Sequence, residues 1–223
     1  MPELFLHAVE NTGAAVTVSG RERLHIRPAN DNTVADVVKT AAAHRQSLMI
    51  TGGGALPFMA SQDSPAVLDM TGLDSDVRFF PDDLIAECPA GVTCDRFMIE
   101  AAKSGFTVPA WGTASPVQTC AGAWMSGPLG PWNVYHDELH RAVIGVTGID
   151  SRGETVRFGG RTAKNVTGYD MAWFLGGTLG LFFVVTSLIV KIQPAPQDRG
   201  ILSLTFHSLD GCMSFLNLSL IHI

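Results

Sequence analysis

Charge is what this sequence is short of. Of its 223 residues, 16% are Asp, Glu, Lys or Arg, and only Lys39, Lys103, Lys164 and Lys191 are lysine. With 15 basic against 21 acidic residues the net charge is −6. That excludes the clustered positive charge on which a nucleic-acid backbone binder depends, so no nucleic-acid partner is expected. Cysteine is sparse as well. Cys88, Cys94, Cys120 and Cys212 form no C-x-x-C pair, which argues against a zinc ribbon or an iron–sulfur cluster of the chain's own, and no metal is expected. Met1-Pro2-Glu3-Leu4 lacks a basic segment followed by an apolar one, so a reducing cytoplasm is the expected compartment. Neither G-x-G-x-x-G nor G-x-x-x-x-G-K-[ST] occurs. Any dinucleotide must therefore be held by another architecture.

What the chain does have is apolar residues, 46% of the total, and 23 glycines without a G-X-Y period. Disorder and collagen are excluded, and the chain is long enough to bury a core. One uncharged run of twenty residues, from Met171 to Val190, meets the length of a membrane span. Gly176-Gly177-Thr178-Leu179-Gly180 divides it, and the segment from Leu181 to Ile192 is rich in β-branched residues. Helix, glycine turn and buried strand is the better reading, with no transmembrane segment.

Along the chain, residues 1–22 show little periodicity beyond a short strand near Ala15–Val18. Arg23–Arg27 alternates as a strand, and Val34–Ala43 is apolar at helical spacing behind an N-cap at Asn32 or Thr33. Short strands are expected at Ser47–Thr51, Ala66–Asp69 and Leu84–Cys88, with Asp82-Asp83 as a turn. Thr93–Ser104 reads as a helix ended by Gly105. The texture changes at Phe106 to a loop through Pro116 and a small-residue run, Cys120-Ala121-Gly122-Ala123. A boundary between two lobes is placed near 106–118. Ala142–Ile149 and Thr155–Phe158 form a hairpin, Thr167–Leu175 a helix and Leu181–Ile192 a long strand, with Pro194 and Pro196 closing a first domain over 1–196. Residues 197–223, a strand at Ile201–Phe206 and a helix from Leu209, read as the start of a second domain. The closing Leu218-Ser219-Leu220-Ile221-His222-Ile223 resembles translated adapter sequence, which implies a reading frame cut off there. The fold class is α+β.

Two segments have the composition of a site. Gly52-Gly53-Gly54-Ala55 directly follows a strand. Consecutive small residues let backbone N–H groups converge on an anion such as a diphosphate, and an ordinary glycine turn has the same composition. Lys164-Asn165-Val166-Thr167-Gly168-Tyr169-Asp170 joins a cation, an amide and an aromatic where a loop enters a helix. It suits a polar cofactor edge, and equally a capped helix start. His136 and His140 stand at i and i+4, but Asp137 takes the place of the H-E-x-x-H glutamate, so a solvated face is preferred to a metal site.

Taken in order, Leu48–Gly54, Ala66–Met70, Glu87–Thr93 and Gly112–Ala123 resemble the PCMH-type FAD-binding domain of the vanillyl-alcohol oxidase and p-cresol methylhydroxylase flavoprotein family. Ser126-Gly127-Pro128, Val143–Val146, Phe158–Asp170 and Gly176–Gly180 are similar in particular to the FAD-binding E subunits of bacterial glycolate oxidases. The likeness covers residues 28–196 and implies two α+β lobes clamping an extended FAD.

By that resemblance Gly52, Gly53, Gly54 and Ala55 take the pyrophosphate. Gly112, Thr113, Ser115, Thr119, Ala121 and Gly122 line the isoalloxazine and ribityl portion. Val143, Gly145 and Val146 meet the adenine through main chain, and Lys164, Asn165, Gly168 and Tyr169 lie near the flavin. Ala55 stands where some relatives carry the histidine of covalent attachment, which implies non-covalent FAD. Gly53→Glu is expected to abolish flavin binding and to leave the fold largely intact. The implied activity is oxidation of a small 2-hydroxy acid such as glycolate, with electrons passed through FAD to a sister flavin subunit and an iron–sulfur subunit, peripheral at the inner membrane through those partners. Competing readings are a non-catalytic or fragmentary FAD-binding module, inactive alone, and a reductase similar to UDP-N-acetylmuramate dehydrogenase. No catalytic residue is assigned.

Overall fold

In the computed structural model the described residues are 3–19, 23–54, 66–108, 115, 117–127, 139–161, 170–198 and 203–221. The first element is a helix, α1 (Glu3–Glu10), inside the stretch that shows little periodicity. Phe5 and Val9 are fully buried on it, a single i, i+4 pair, and two anchors on eight residues are too few to set a visible period. β1 (Ala15–Ser19) and β2 (Arg23–Arg27) pair antiparallel. Helix α2 (Asp31–Ala43) comes next in the chain, with Asn30 as its N-cap rather than Asn32 or Thr33. Asn30 Oδ1 accepts from the N–H of Thr33 at 3.0 Å, which starts the helix earlier. Its buried face is Thr33, Val34, Val37, Val38 and Ala41. β3 (Leu48–Thr51) and β4 (Ala66–Asp69) complete a four-stranded sheet in the order β1-β2-β4-β3, with β4 parallel to both neighbours.

A second sheet, antiparallel throughout, joins residues 78–80, 85–89, 184–191, 143–149 and 155–159 in that order, the strands β5, β6, β10, β8 and β9. β5 (Arg78–Phe80) and β6 (Ile85–Pro89) come before the predicted lobe boundary, yet they pair with strands from beyond it. The division between sheets thus falls between Asp69 and Arg78, not near 106–118, because strand pairing and not local composition closes a sheet. Helix α3 (Cys94–Lys103), capped by Thr93 and ended by Gly105 at φ +80°, leads to the short β7 (Phe106–Thr107). The small-residue run is itself a helix, α4 (Cys120–Ser126). After α5 (Leu139–Ala142), the hairpin of β8 (Val143–Ile149) and β9 (Thr155–Gly159) forms as expected. The uncharged run resolves into α6 (Met171–Leu175), a turn and β10 (Val184–Lys191). Among the described residues no helix is long and apolar enough to cross a membrane.

β11 (Gln193–Pro194) pairs with β7. Residues 203–206 are not strand, against the expectation for Ile201–Phe206: among the described residues none pairs with them. The last helix, α7 (Leu209–Ile221), exposes Leu209, Met213 and Phe215. One core runs through both sheets, from Phe5, Ile26 and Leu68 to Cys88, Phe97 and Leu188. Helix α2 packs against α1 on one side and β8 on the other. The two sheets are thereby held at a fixed relation, and a cavity lies where they meet.

Candidate functional site

The last residue of β3 runs directly into Gly52-Gly53-Gly54. This loop passes so close to residues 117–119 that a Cβ on Gly53 would fall on the Val117 carbonyl oxygen, and one on Gly52 on the Thr119 hydroxyl. Gly54 is different: its φ of +68° is left-handed and no described residue lies within 4 Å of its missing Cβ. The first two glycines serve chain contact and the third serves the turn. Any side chain at position 53 would displace backbone, so Gly53→Glu cannot leave the fold intact. Among the described residues, the N–H groups of Gly53 and Gly54 donate to no protein acceptor.

The facing segment is pinned from behind. The Cys94 N–H donates to the Gln118 carbonyl and the Cys120 N–H to the Val92 carbonyl, both at 2.8 Å, on either side of the bridge between Thr93 and Thr119. Thr119 then caps α4, its Oγ1 accepting from the Gly122 N–H at 3.1 Å. At the far end of α4 the Trp124 carbonyl accepts from the Gly177 N–H at 3.1 Å and the Met125 carbonyl from the Leu179 N–H at 3.0 Å. Leu179 is held there at φ +58°, in the left-handed region. For a leucine this costs roughly 1–2 kcal/mol, and the hydrogen bond to α4 keeps it in place.

These pieces enclose a cavity of about 330 Å³. Met49, Ile50 and Thr51 of β3 and the glycine loop form one side, Met70 and Ala90 the floor, and Phe183 and Val185 the wall from the second sheet. Ala121, Gly122 and Met125 present one face of α4. The polar groups are few: Thr51, Thr119, and Gln118, whose Nε2 donates to Ser126 Oγ at 3.0 Å. No charged side chain is among the lining residues described. Such a site suits a flat, largely apolar ligand and offers anionic groups uncharged donors, backbone N–H groups and a few hydroxyl and amide side chains. Cys120 lies beneath the cavity, and burial, then contact with Cys88 and Cys94, pushes its thiol well up. It stays protonated near neutrality and is no nucleophile.

Of the residues singled out from sequence, the structure gathers Gly52, Gly53, Gly54, Thr119, Ala121 and Gly122 around this one cavity. Ser115 is exposed nearby, its carbonyl accepting from the Gln118 N–H. Val143, Gly145 and Val146 do not border the cavity; they lie in β8, flanked by β9 and β10. Ala55, Gly112, Thr113, Lys164, Asn165, Gly168 and Tyr169 fall outside the described residues, as do His136 and Asp137. Sequence reasoning passed over Met49, Met70, Met125, Phe183 and Val185, which carry the apolar wall. The only signal for them was adjacency to a glycine loop or a small-residue run.

Comparison with known proteins adds a name to this geometry. Residues 23–159 match the family described as FAD binding domain. D-lactate dehydrogenase of Archaeoglobus fulgidus is 23% identical over 190 residues, covering 85% of this chain and 43% of the relative. Glycolate oxidase subunit GlcE of Escherichia coli is 26% identical over 164 residues, covering 72% and 46%. The chain thus spans less than half the length of these relatives. Among solved structures, BBE-like 1 of Physcomitrella patens superposes with a TM-score of 0.72 at 17% identity, over 85% of this chain and 44% of that one.

Proposed function

This chain belongs to the FAD-binding-domain family, and on that premise we propose that it is the FAD-holding part of an oxidoreductase that acts on small 2-hydroxy acids. Its cofactor is FAD. The residues present fit that group. Two backbone N–H groups at Gly53 and Gly54, not spent on described protein acceptors, suit the diphosphate, and the apolar cavity beside them suits a flat ring. That juxtaposition is the observation that carries the reading. When bound, the flavin supplies the two-electron redox chemistry, and the protein supplies binding, orientation and a dry surrounding.

The chain's own part is set by its walls. Met49, Ile50, Met125, Phe183 and Val185 exclude water from one end of the site. The backbone of Gly52–Gly54 and of Ala121-Gly122 allows close approach where side chains would stand off. Ala55, in place of a histidine, supports non-covalent attachment. Glycolate or lactate as substrate rests on the likeness to D-lactate dehydrogenase and to a glycolate oxidase subunit, and a sister flavin subunit and an iron–sulfur subunit as electron partners rest on the family resemblance of the sequence alone.

The test is the visible spectrum of the purified protein with the released cofactor identified after acid treatment, and then anaerobic addition of glycolate or D-lactate. Flavin bands, free FAD and bleaching by a 2-hydroxy acid are the expected results. A protein that neither carries nor takes up FAD overturns the reading. Bound FAD that is never bleached, even with an artificial acceptor as sink, leaves a module that holds the cofactor without turning over.

A further inference from the structure

Three of the chain's eight methionines, Met49, Met70 and Met125, converge on this one cavity although they come from β3, the turn after β4 and α4. Leu or Ile fills an apolar wall equally well, and what distinguishes methionine is a flexible, polarizable and oxidisable thioether. Met70 and Met125 are buried, whereas Met49 is half-buried at the side that carries the glycine loop. A small oxidant entering the cavity therefore meets Met49 first. We propose that these three methionines form an oxidation-sensitive wall, at which a peroxide converts thioether to sulfoxide and so loosens the protein's hold on its flavin. This inference rests on the FAD reading of the cavity.

The step balances with hydrogen peroxide as co-reactant. A sulfur lone pair attacks one peroxide oxygen, the S–O bond forms as the O–O bond breaks, sulfur is oxidised by two electrons, and the departing hydroxide takes up the remaining proton as water. The product side chain is polar and chiral, and reductases of methionine sulfoxide restore it. A sulfoxide oxygen on this wall has few partners. Thr51, Thr119 and Ser126 are the nearby hydroxyls; Ser126 already donates to the Ala123 carbonyl, and any other donor spent on a sulfoxide, the Gly53 and Gly54 N–H groups included, is withdrawn from the flavin. Seating a flat apolar ring against an unsatisfied polar oxygen weakens binding by about tenfold for each sulfoxide in contact.

The experiment treats the full chain with graded hydrogen peroxide, with and without saturating FAD, and reads each methionine by peptide mass alongside FAD affinity by fluorescence quenching. Expected are slower sulfoxide formation at Met49, Met70 and Met125 when FAD is present, no protection of the exposed Met213, and a loss of FAD affinity of about tenfold or more after oxidation. A variant in which Met49, Met70 and Met125 are all replaced by Leu, compared with itself before and after peroxide, should show no further loss of FAD affinity on oxidation. Equal oxidation rates with and without FAD, or unchanged affinity of the oxidised protein, overturn the inference. If untreated protein fails to bind FAD, the cofactor reading itself falls, and that result is read before any peroxide is added.

Discussion

The hydroxyl of Thr186 donates to Asp31 Oδ2 at 3.0 Å, joining residues 155 positions apart, one in β10 of the second sheet and one in the first turn of α2. Thr186 is buried at a bulge, where Val185 pairs with Gly148 and Ser187 with Thr147, and its own carbonyl accepts from the Ala90 N–H at 2.9 Å. The extra residue turns Val185 toward the cavity. One threonine thus ties helix α2 to β10 and to the residue after β6, Ala90, which lines the cavity.

Thr186→Val should lower unfolding free energy by about 1–2 kcal/mol, the worth of a hydrogen bond to a carboxylate that keeps access to water when the partner goes. Thr186→Ser should restore most of it. Urea unfolding measures both, and a valine variant as stable as the parent would show that the contact contributes nothing.

Gly53 and Gly54 are adjacent and should respond differently. Gly53→Ala drives a methyl onto the Val117 carbonyl and is expected to cost both stability and FAD. Gly54→Ala meets open space and bears only the left-handed strain of its φ, about 1 kcal/mol. Melting temperature and FAD affinity of the two variants should therefore separate, and equal losses would contradict the close approach.

Thr119 is both helix cap and cavity wall. Thr119→Ala should cost about 1 kcal/mol from the lost cap and weaken FAD as well, while Thr119→Ser keeps the oxygen and most of both. Intact FAD affinity in the alanine variant would limit its role to the helix.

The thiol of Cys120 sets a pH dependence. Its folded pKa is raised above the ordinary value of 9.0 by burial first. Above that pH the unfolded chain releases the proton and the folded chain keeps it, so stability is full below about pH 9 and declines as pH rises beyond, with a limiting slope of about 1.4 kcal/mol per pH unit. Cys120→Ala should flatten the alkaline limb. In native protein a thiol reagent should reach Cys212, with Cys88, Cys94 and Cys120 reacting only on unfolding.

Local chemistry was readable where a short segment states its own conformation. Thr93 and Gly105 bracket α3, the alternating Arg23–Arg27 is β2, and Gly176–Gly180 splits an apparent membrane span into α6 and β10. Helix α1 was not legible, because its two buried anchors, Phe5 and Val9, acquire meaning only from the surface they meet. Helix α4 was hidden for a related reason: a Cβ on Gly122 would press on the Thr119 hydroxyl that caps the helix, and small residues such as Cys120, Ala121, Gly122 and Ala123 carry no helical stripe.

For the site the division is similar. The residues 52–54 and 119–122 were legible because glycine and small side chains record a demand on the backbone, and that demand survives in the sequence. The order of those motifs also carried the family resemblance. That Met49, Met70, Met125 and Val185 line one cavity, that β5 and β6 belong with β10, and that Gly53 is reserved for the Val117 carbonyl were decided by tertiary packing. Those relations join residues far apart in the chain, and nothing in any short segment states which distant surface it will meet.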